Sequence, residues 1–334
     1  MTIQEIERAC DNAQPLDFSR PEMPISELSL NRTFYPYGFP VEVRTNSADV
    51  LDVLEDLWGR FEQRYNTVPV YSEVHVVASD SLTCPPLPVY RLMSPLFMTI
   101  ADKDNYSIVD MDRNTAHIGL SDAALRHKLY AGYHFLAAPI VCIATSHTTP
   151  VHGGCVALNG RGVLLCGDSG AGKSTLSYAC ARKGWTYVSD DGTYLSNCGK
   201  DRVVNGNCHQ VRFRPATADL FPEIADLKVM PRAAGKPSAL MQTASIPKLT
   251  CAQSTQVDFI VFLKRGSENE PGLVPYRKDV ARHFIHQMLF APPATRDRQH
   301  AAAERLLTAE VFELRYTDLN WAVRRLKELV QKGQ

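Results

Sequence analysis

Gly162-Val-Leu-Leu-Cys-Gly-Asp-Ser-Gly-Ala-Gly-Lys-Ser-Thr-Leu-Ser-Tyr-Ala-Cys-Ala-Arg-Lys-Gly184 decides the reading of the chain. The apolar run Gly162–Cys166 suits a buried strand, and Thr175–Lys183 suits a helix that Gly184 ends. Between them, Gly167-Asp-Ser-Gly-Ala-Gly-Lys-Ser174 satisfies G-x-x-x-x-G-K-[ST] in the strand-to-helix setting that pattern requires. Glycines let backbone N–H groups wrap a phosphate chain, and the helix N-terminus adds favourable partial charge. The expected contacts are Gly167, Asp168, Ser169, Gly170, Ala171, Gly172, Lys173, Ser174 and Thr175. Lys173 would reach the β- and γ-phosphates, and the Ser174 hydroxyl would coordinate Mg²⁺.

Downstream, Trp185-Thr-Tyr-Val-Ser189 reads as a strand that delivers Asp190 and Asp191 at its end. Strand ends beside such a loop are where carboxylates reach a bound metal. Neighbouring strand residues point to opposite sides, so the pair would divide two tasks: holding the metal and accepting a hydroxyl proton.

Upstream, Pro150-Val-His-Gly-Gly154 precedes the strand Cys155–Leu158, which pairs through Asn159-Gly160 with Gly162–Leu165. Arg161 is expected to lengthen that loop. The hairpin would carry His152 to the sheet end from which the glycine-rich loop departs. Further on, Arg212 and Arg214 in Gln210-Val-Arg-Phe-Arg214 alternate on an expected strand, where they would contact phosphate or an acidic substrate or lie solvated at the surface.

Before residue 147 the pattern is mixed α/β. The first forty residues read as a polar, Pro-rich arm, and Val41–Arg44 as a half-buried strand. Ser47 is placed as N-cap of a helix presenting Val50, Leu51, Val53, Leu54, Leu57, Trp58 and Phe61 on one side. Strands are expected at Val74–Ala78, Leu96–Ile100 and Tyr106–Val109, then a long helix from Ser121 through Leu125, Leu129, Phe135 and Leu136, interrupted at Pro139. A terminal amphipathic helix is expected over Asn320–Val330. The domain expectation is an accessory α/β region over 1–147 and a loop-bearing α/β domain over 148–334.

Composition narrows the classes. Lys plus Arg (36) equals Asp plus Glu (36), so no net field draws the chain to nucleic acid or an anionic membrane. The nine cysteines are scattered without a C-x-x-C pair, the pattern of reduced structural thiols and not of a zinc site or disulfide framework. The terminus Met1–Arg8 lacks the basic-then-apolar pattern of a secretory signal, and no uninterrupted apolar stretch nears the ~18 residues of a membrane helix. The expectation is a cytoplasmic protein with no membrane or nucleic-acid partner.

Val151-His-Gly153, the hairpin, Gly167–Ser174 and Val188-Ser-Asp-Asp191 together resemble the kinase domain of HPr kinase/phosphorylase over roughly residues 150–195. The fold this resemblance implies is an α/β P-loop kinase core of the type shared by HPr kinase and ATP-dependent phosphoenolpyruvate carboxykinase, here preceded by the small mixed α/β region. It further implies ATP and Mg²⁺, His152 near the transferred phosphate, Asp190 as catalytic base, Asp191 assisting the metal, and assembly into a homo-oligomer. The family's Glu-x-Arg-Gly-x-Gly stretch has no counterpart; Gln210–Arg214 lacks its Glu and its glycines. The chain is similar to the broader group of HPr-kinase-like serine kinases.

The resulting expectation is transfer of a γ-phosphoryl group to a hydroxyl, on a serine of a peptide or protein. A small-molecule acceptor uses the same parts, and a nucleotide-binding regulator with little or no transfer is the alternative. A transporter-type ATPase ranks third, because no L-S-G-G-Q-like segment occurs.

Overall fold

The computed structural model describes residues 8, 11–12, 14, 27–199, 201–230, 237–266, 270–287, 289 and 293–332. Cys10, the signal reading of Met1–Arg8 and most of the N-terminal arm lie outside them. The chain divides into two compact units, Met1–Ser146 and His147–Gln334.

The first unit is a seven-stranded sheet of β1 (Leu30–Phe34), β2 (Val41–Thr45), β3 (Val70–Val77), β4 (Val89–Met93), β5 (Leu96–Ile100), β6 (Tyr106–Asp110) and β7 (Thr115–Ser121). Their spatial order is β1-β2-β3-β7-β6-β5-β4. β2 and β3 run parallel, joined through α1 (Ala48–Trp58), whose Val50, Val53, Leu54 and Trp58 are buried. Ser47 stands at the start of α1 but makes no side-chain cap; its N–H donates to Thr45 Oγ1 at 3.2 Å instead.

The expected long helix is real but breaks elsewhere. α2 (Asp122–Arg126), capped by the Ser121 hydroxyl, stops at His127, whose ψ of 66° leaves the helical region. α3 (Lys128–Ala131) and α4 (Pro139–Cys142) then alternate with wide π-helical turns at Gly132–Leu136 and Ile143–His147. Pro139 is tolerated because it sits in the first turn of α4, where an N–H has no helical acceptor. Leu129 is 68% exposed, so it is off the buried side. The run Lys128–His147 is not an uninterrupted apolar stretch, since Gly132, His134, Thr145 and Ser146 fall within it. It is twenty residues long and apolar enough to cross, and most of it is buried. α4 packs on β3, β6 and β7 of its own unit.

The second unit carries β8 (Thr148–Leu158), β9 (Arg161–Cys166), α5 (Lys173–Arg182), β10 (Thr186–Ser189), β11 (Gly192–Ser196), β12 (Val203–Gly206) and β13 (Gln210–Phe213). It continues through β14 (Val229–Met230), β15 (Ser238–Gln242), β16 (Thr250–Cys251), β17 (Ser254–Arg265), β18 (Gly272–Pro275), α6 (Lys278–His286), α7 (Pro293–Leu306), β19 (Glu310–Tyr316) and α8 (Leu319–Gln331). β17 pairs in parallel with both β9 and β19, so Cys166, Arg265 and Tyr316 end three parallel strands at one sheet edge. Open α/β sheets receive ligands at such carboxyl ends.

β8 and β9 form a hairpin whose turn is only Asn159-Gly160, with φ of 52° and 78°. Both values suit a type I′ turn, and Arg161 is already paired with Leu158, so it starts β9 and does not lengthen the loop. β8 is longer than its apolar part suggests. Thr148–His152 pair with β11, whereas the part from Gly153 onward pairs with β9 and, over Cys155–Ala157, with β10. His152 therefore lies within the strand, at its change of partner.

Val156, Val163, Leu165, Leu176, Tyr178, Trp185, Tyr187, Val261 and Leu326 belong to one core between sheet and helices. Each such side chain contributes about 1.5–3 kcal/mol on full burial. All eight described cysteines are free thiols; Cys142, Cys155, Cys166, Cys180 and Cys208 are buried, and Cys84, Cys198 and Cys251 are exposed.

Candidate functional site

The loop between β9 and α5 owes its path to glycine. Gly167, Gly170 and Gly172 have φ of 142°, 97° and 99°, values that side chains rarely adopt. At Gly172 a Cβ would also lie 2.6 Å from Tyr316 Oη. That hydroxyl donates to the Ala171 carbonyl at 3.2 Å, tying the loop to the end of β19. A Cβ on Gly170 would meet open space, so its glycine answers to backbone conformation alone.

Lys173 opens α5 and is 5% exposed. Its Nζ donates to the Gly167 carbonyl at 2.8 Å and the Asp168 carbonyl at 3.2 Å, so the cation lies inside the curl of its own loop. Burial lowers its pKa, opposed by the Asp191 charge. The Ser174 hydroxyl donates to the Asp190 carbonyl at 3.4 Å, linking the helix start to the carboxylate pair.

The strand bearing that pair stops at Ser189, and pairing resumes at Gly192 in β11, leaving Asp190-Asp191 in the intervening bend. Hydroxyls fix the bend from both ends. Ser189 Oγ lies 2.7 Å from Thr193 Oγ1, which donates to the Gly153 carbonyl at 2.6 Å. Gly154 explains the paired glycines after His152, because a Cβ there would come within 2.5 Å of Ser177 Oγ and 3.0 Å of the Asp190 carbonyl. Only glycine lets β8 pass so close to α5 and to the backbone of Asp190.

The two carboxylates have different surroundings. Asp190 is 8% exposed, and its Oδ2 accepts the Arg212 backbone N–H at 2.8 Å. Burial raises its pKa to about 6 despite the opposing charge and amide of Arg212. Asp191 faces the open space over the loop, with Oδ1 3.5 Å from His152 Nδ1. Burial, and secondarily Lys173, lower the His152 pKa, so a neutral imidazole is favoured near neutrality. At 3.5 Å the His152–Asp191 contact is a loose approach and not a charged pair.

A cavity of about 220 Å³ gathers His152, Lys173, Ser174, Asp191, Arg212 and Arg214 on one wall system. Ser169, Gly170, Gly172 and Thr175 also line it; Asp190 does not, since its carboxylate is turned to the Arg212 amide. Arg212 lies in β13, but Arg214 falls just beyond it and donates from Nη2 to Ser169 Oγ at 2.8 Å. The two arginines thus meet through a strand end and a loop, not as alternate residues of one strand. Arg265, Ala216, Thr217 and Leu220 complete the cavity, and no motif in the sequence points to them. Arg265 ends the apolar run Phe259–Leu263, and the parallel pairing of β17 with β9 brings it to the loop.

His286 lies 3.3 Å from Glu304 and 3.1 Å from His300. Among the described residues, no group of three or more His, Cys, Asp or Glu side chains is arranged to hold a metal ion.

One similar solved structure is that of the HPr(Ser) kinase/phosphatase from Coxiella burnetii. It is 14% identical, matches over 55% of this chain and 99% of its own, and has a TM-score of 0.33. The family model described as the HPr Serine kinase C-terminal domain matches residues 144–214. That span holds His152, the Gly167–Ser174 loop, Asp190, Asp191, Arg212 and Arg214, and it is in this segment that the chain is HPr-kinase-like.

Proposed function

We propose that the chain is an ATP- and Mg²⁺-dependent kinase that transfers the γ-phosphoryl group to a hydroxyl, on a serine of a peptide or protein. The observation that carries this reading is the convergence of a glycine-built loop, a buried lysine, the Asp191 carboxylate and two arginines on one cavity of unit two, with the unlike carboxylate of Asp190 buried next to it in sequence. Phosphoryl transfer needs positioning and charge stabilisation more than covalent chemistry, and these are the groups that supply both.

In this proposal the amides of Gly167–Thr175 and the Lys173 ammonium hold the phosphate chain. Mg²⁺ ordinarily takes one or two protein ligands beside phosphate oxygens, and the Ser174 hydroxyl and Asp191 suit that role. The metal would neutralise charge on the phosphates. Asp190 accepts the proton as the acceptor O–H bond breaks; the acceptor oxygen forms its bond to phosphorus, and the bond from the γ-phosphorus to the bridging oxygen breaks. ADP, the phosphorylated acceptor and one proton result. A carboxyl group titrating near 6 is ionised at neutral pH yet still basic enough for the task. His152 orients phosphate as a neutral donor.

One observation favours a second reading, a nucleotide-binding regulator with little transfer. The Asp190 carboxylate is engaged by the Arg212 amide and does not line the cavity. Phosphoproteomes of cells carrying wild type or Lys173→Ala separate the two readings. A kinase loses one or a few phosphoserines in the variant; a regulator loses none while purified protein still binds ATP.

A further inference from the structure

A second cavity, of about 400 Å³, begins where the first one ends. Thr175, Leu220 and Arg265 line both. From Thr175 it follows α5 along Ala179 to Arg182 and is closed by Phe221 and by the stretch Tyr316–Asn320 between β19 and α8. It lies at the carboxyl ends of the parallel strands β17 and β19, where Arg265 and Tyr316 are register partners. Nothing in the phosphoryl-transfer chemistry above uses this space.

We infer that this cavity receives the nucleoside moiety of the nucleoside triphosphate, with the base stacked on the Arg182 guanidinium. The inference rests on the proposed phosphate site. If the transferred phosphate lies by Lys173, His152 and Asp191, the rest of the phosphate chain leaves past Thr175 and Arg265, which line both cavities. The volume falls within the few hundred to about 1,000 Å³ common for cofactor sites.

The lining suits a nucleoside. Ala179, Leu220 and Phe221 supply an apolar floor. The Arg182 guanidinium stands 5.5 Å from the centre of the Phe221 ring and 3.2 Å from Glu223 Oε1, so it is held from two directions. A fixed planar cation is a good stacking partner for a flat π system. Thr317 and Asn320 are exposed polar groups at the rim, placed for ribose hydroxyls. Asp318 accepts the Trp321 N–H at 2.6 Å as the cap of α8, which gives its carboxylate a partner other than the ligand. Arg265, at the junction, is the cation for the phosphate nearest the ribose.

Calorimetric titration of the full chain with ATP and with inorganic tripolyphosphate, each with Mg²⁺, tests this. Asn320→Trp fills the rim from an exposed position in the first turn of α8, and Arg182→Ala removes the stacking plane. Both should weaken ATP by about tenfold or more and leave tripolyphosphate within about twofold, whereas Lys173→Ala weakens both ligands. Unchanged ATP affinity in both cavity variants, with Lys173→Ala still losing both ligands, overturns the nucleoside site and spares the phosphate site. A wild-type protein that binds neither ligand removes both. Should Asn320→Trp not fold, photolabelling of the wild type by 8-azido-ATP decides. Label on residues 179–183 or 316–320 supports the site, and label confined elsewhere overturns it.

Discussion

The backbone N–H of Arg212 donates to Oδ2 of Asp190 at 2.8 Å, binding a buried acid to the strand that also presents an arginine to the cavity. This one bond does two things. It stabilises the ionised form of a carboxyl group whose burial opposes ionisation, and it turns that group away from the cavity that Asp191 faces. The adjacent carboxylates are therefore expected to fail differently. Asp190→Asn should lower kcat by about 10²–10⁴ with ATP affinity little changed, as for loss of a general base. Asp191→Asn should instead raise the Mg²⁺ concentration needed for half-maximal rate. Steady-state kinetics against Mg²⁺ with the phosphorylated acceptor as readout checks both; a reversed pattern would exchange the two roles.

The same burial predicts opposite effects of pH on activity and stability. Asp190 is raised to about 6 in the folded chain, above the ordinary Asp value of about 3.9. Between those values the unfolded chain releases its proton first, so rising pH costs folding stability there, roughly 3 kcal/mol in all, and the loss is constant above 6. Activity runs the other way, because a base must be ionised: kcat should fall as pH drops below about 6. His152, also held below its ordinary range, adds a second ionisation on the acid side, which His152→Gln separates. Asp190→Asn should raise Tm at pH 7.5 and change it little at pH 4, while lowering kcat at both. Melting curves at the two pH values check the sign.

Gly154 sets how closely β8 can approach the site. Gly154→Ala places a methyl 2.5 Å from Ser177 Oγ and 3.0 Å from the Asp190 carbonyl. Overpacking of this kind costs about 1–3 kcal/mol, and here the displaced backbone is that of the proposed base. Urea unfolding should show the loss in stability, and kcat should fall with it. Adding Ser177→Ala removes the closer of the two contacts, so the double variant should recover part of the stability. The contact with the Asp190 backbone stays, so the recovery in kcat should be smaller.

How much of this was legible differs from element to element. β9, its loop and α5 are written locally: an apolar run, glycines where φ is positive, and Gly184 past the helix end with φ of 88°. Asn159-Gly160 likewise fixes its own turn, and with it the transport of His152 to the loop end of the hairpin. The orientation of the Asp pair was not legible. Alternation along a strand presupposes that the strand continues, and here β10 ends at Ser189; the Arg212 amide, 22 residues away in sequence, decides which carboxylate is buried. Arg265 and Tyr316 reach the loop only through parallel pairing across a long stretch of chain, which leaves no short-range signal. The π-helical turns between Gly132 and His147 were hidden for a similar reason. Their apolar residues satisfy a helical period; the turn Gly132–Leu136 packs against α1, and α4 between the two turns packs on β3, β6 and β7.

Arg214 and Ser169 provide the last test, because their bond joins the glycine-rich loop to the segment after β13. The pair is exposed, so its direct worth to folding is small, within about 1 kcal/mol. Its worth in catalysis depends on whether the guanidinium transfers from the Ser169 hydroxyl to phosphate or to an acidic acceptor, a charge-assisted contact of about 1.5–3 kcal/mol. Arg214→Ala should therefore leave Tm unchanged and lower kcat/KM by about tenfold to a hundredfold. Arg214→Lys keeps charge without the planar fork and should recover only part of it. Ser169→Ala frees the guanidinium and should be neutral or slightly activating. A matching loss in Ser169→Ala and Arg214→Ala would mean instead that the bond serves to hold the loop, and that Arg212 alone meets the substrate.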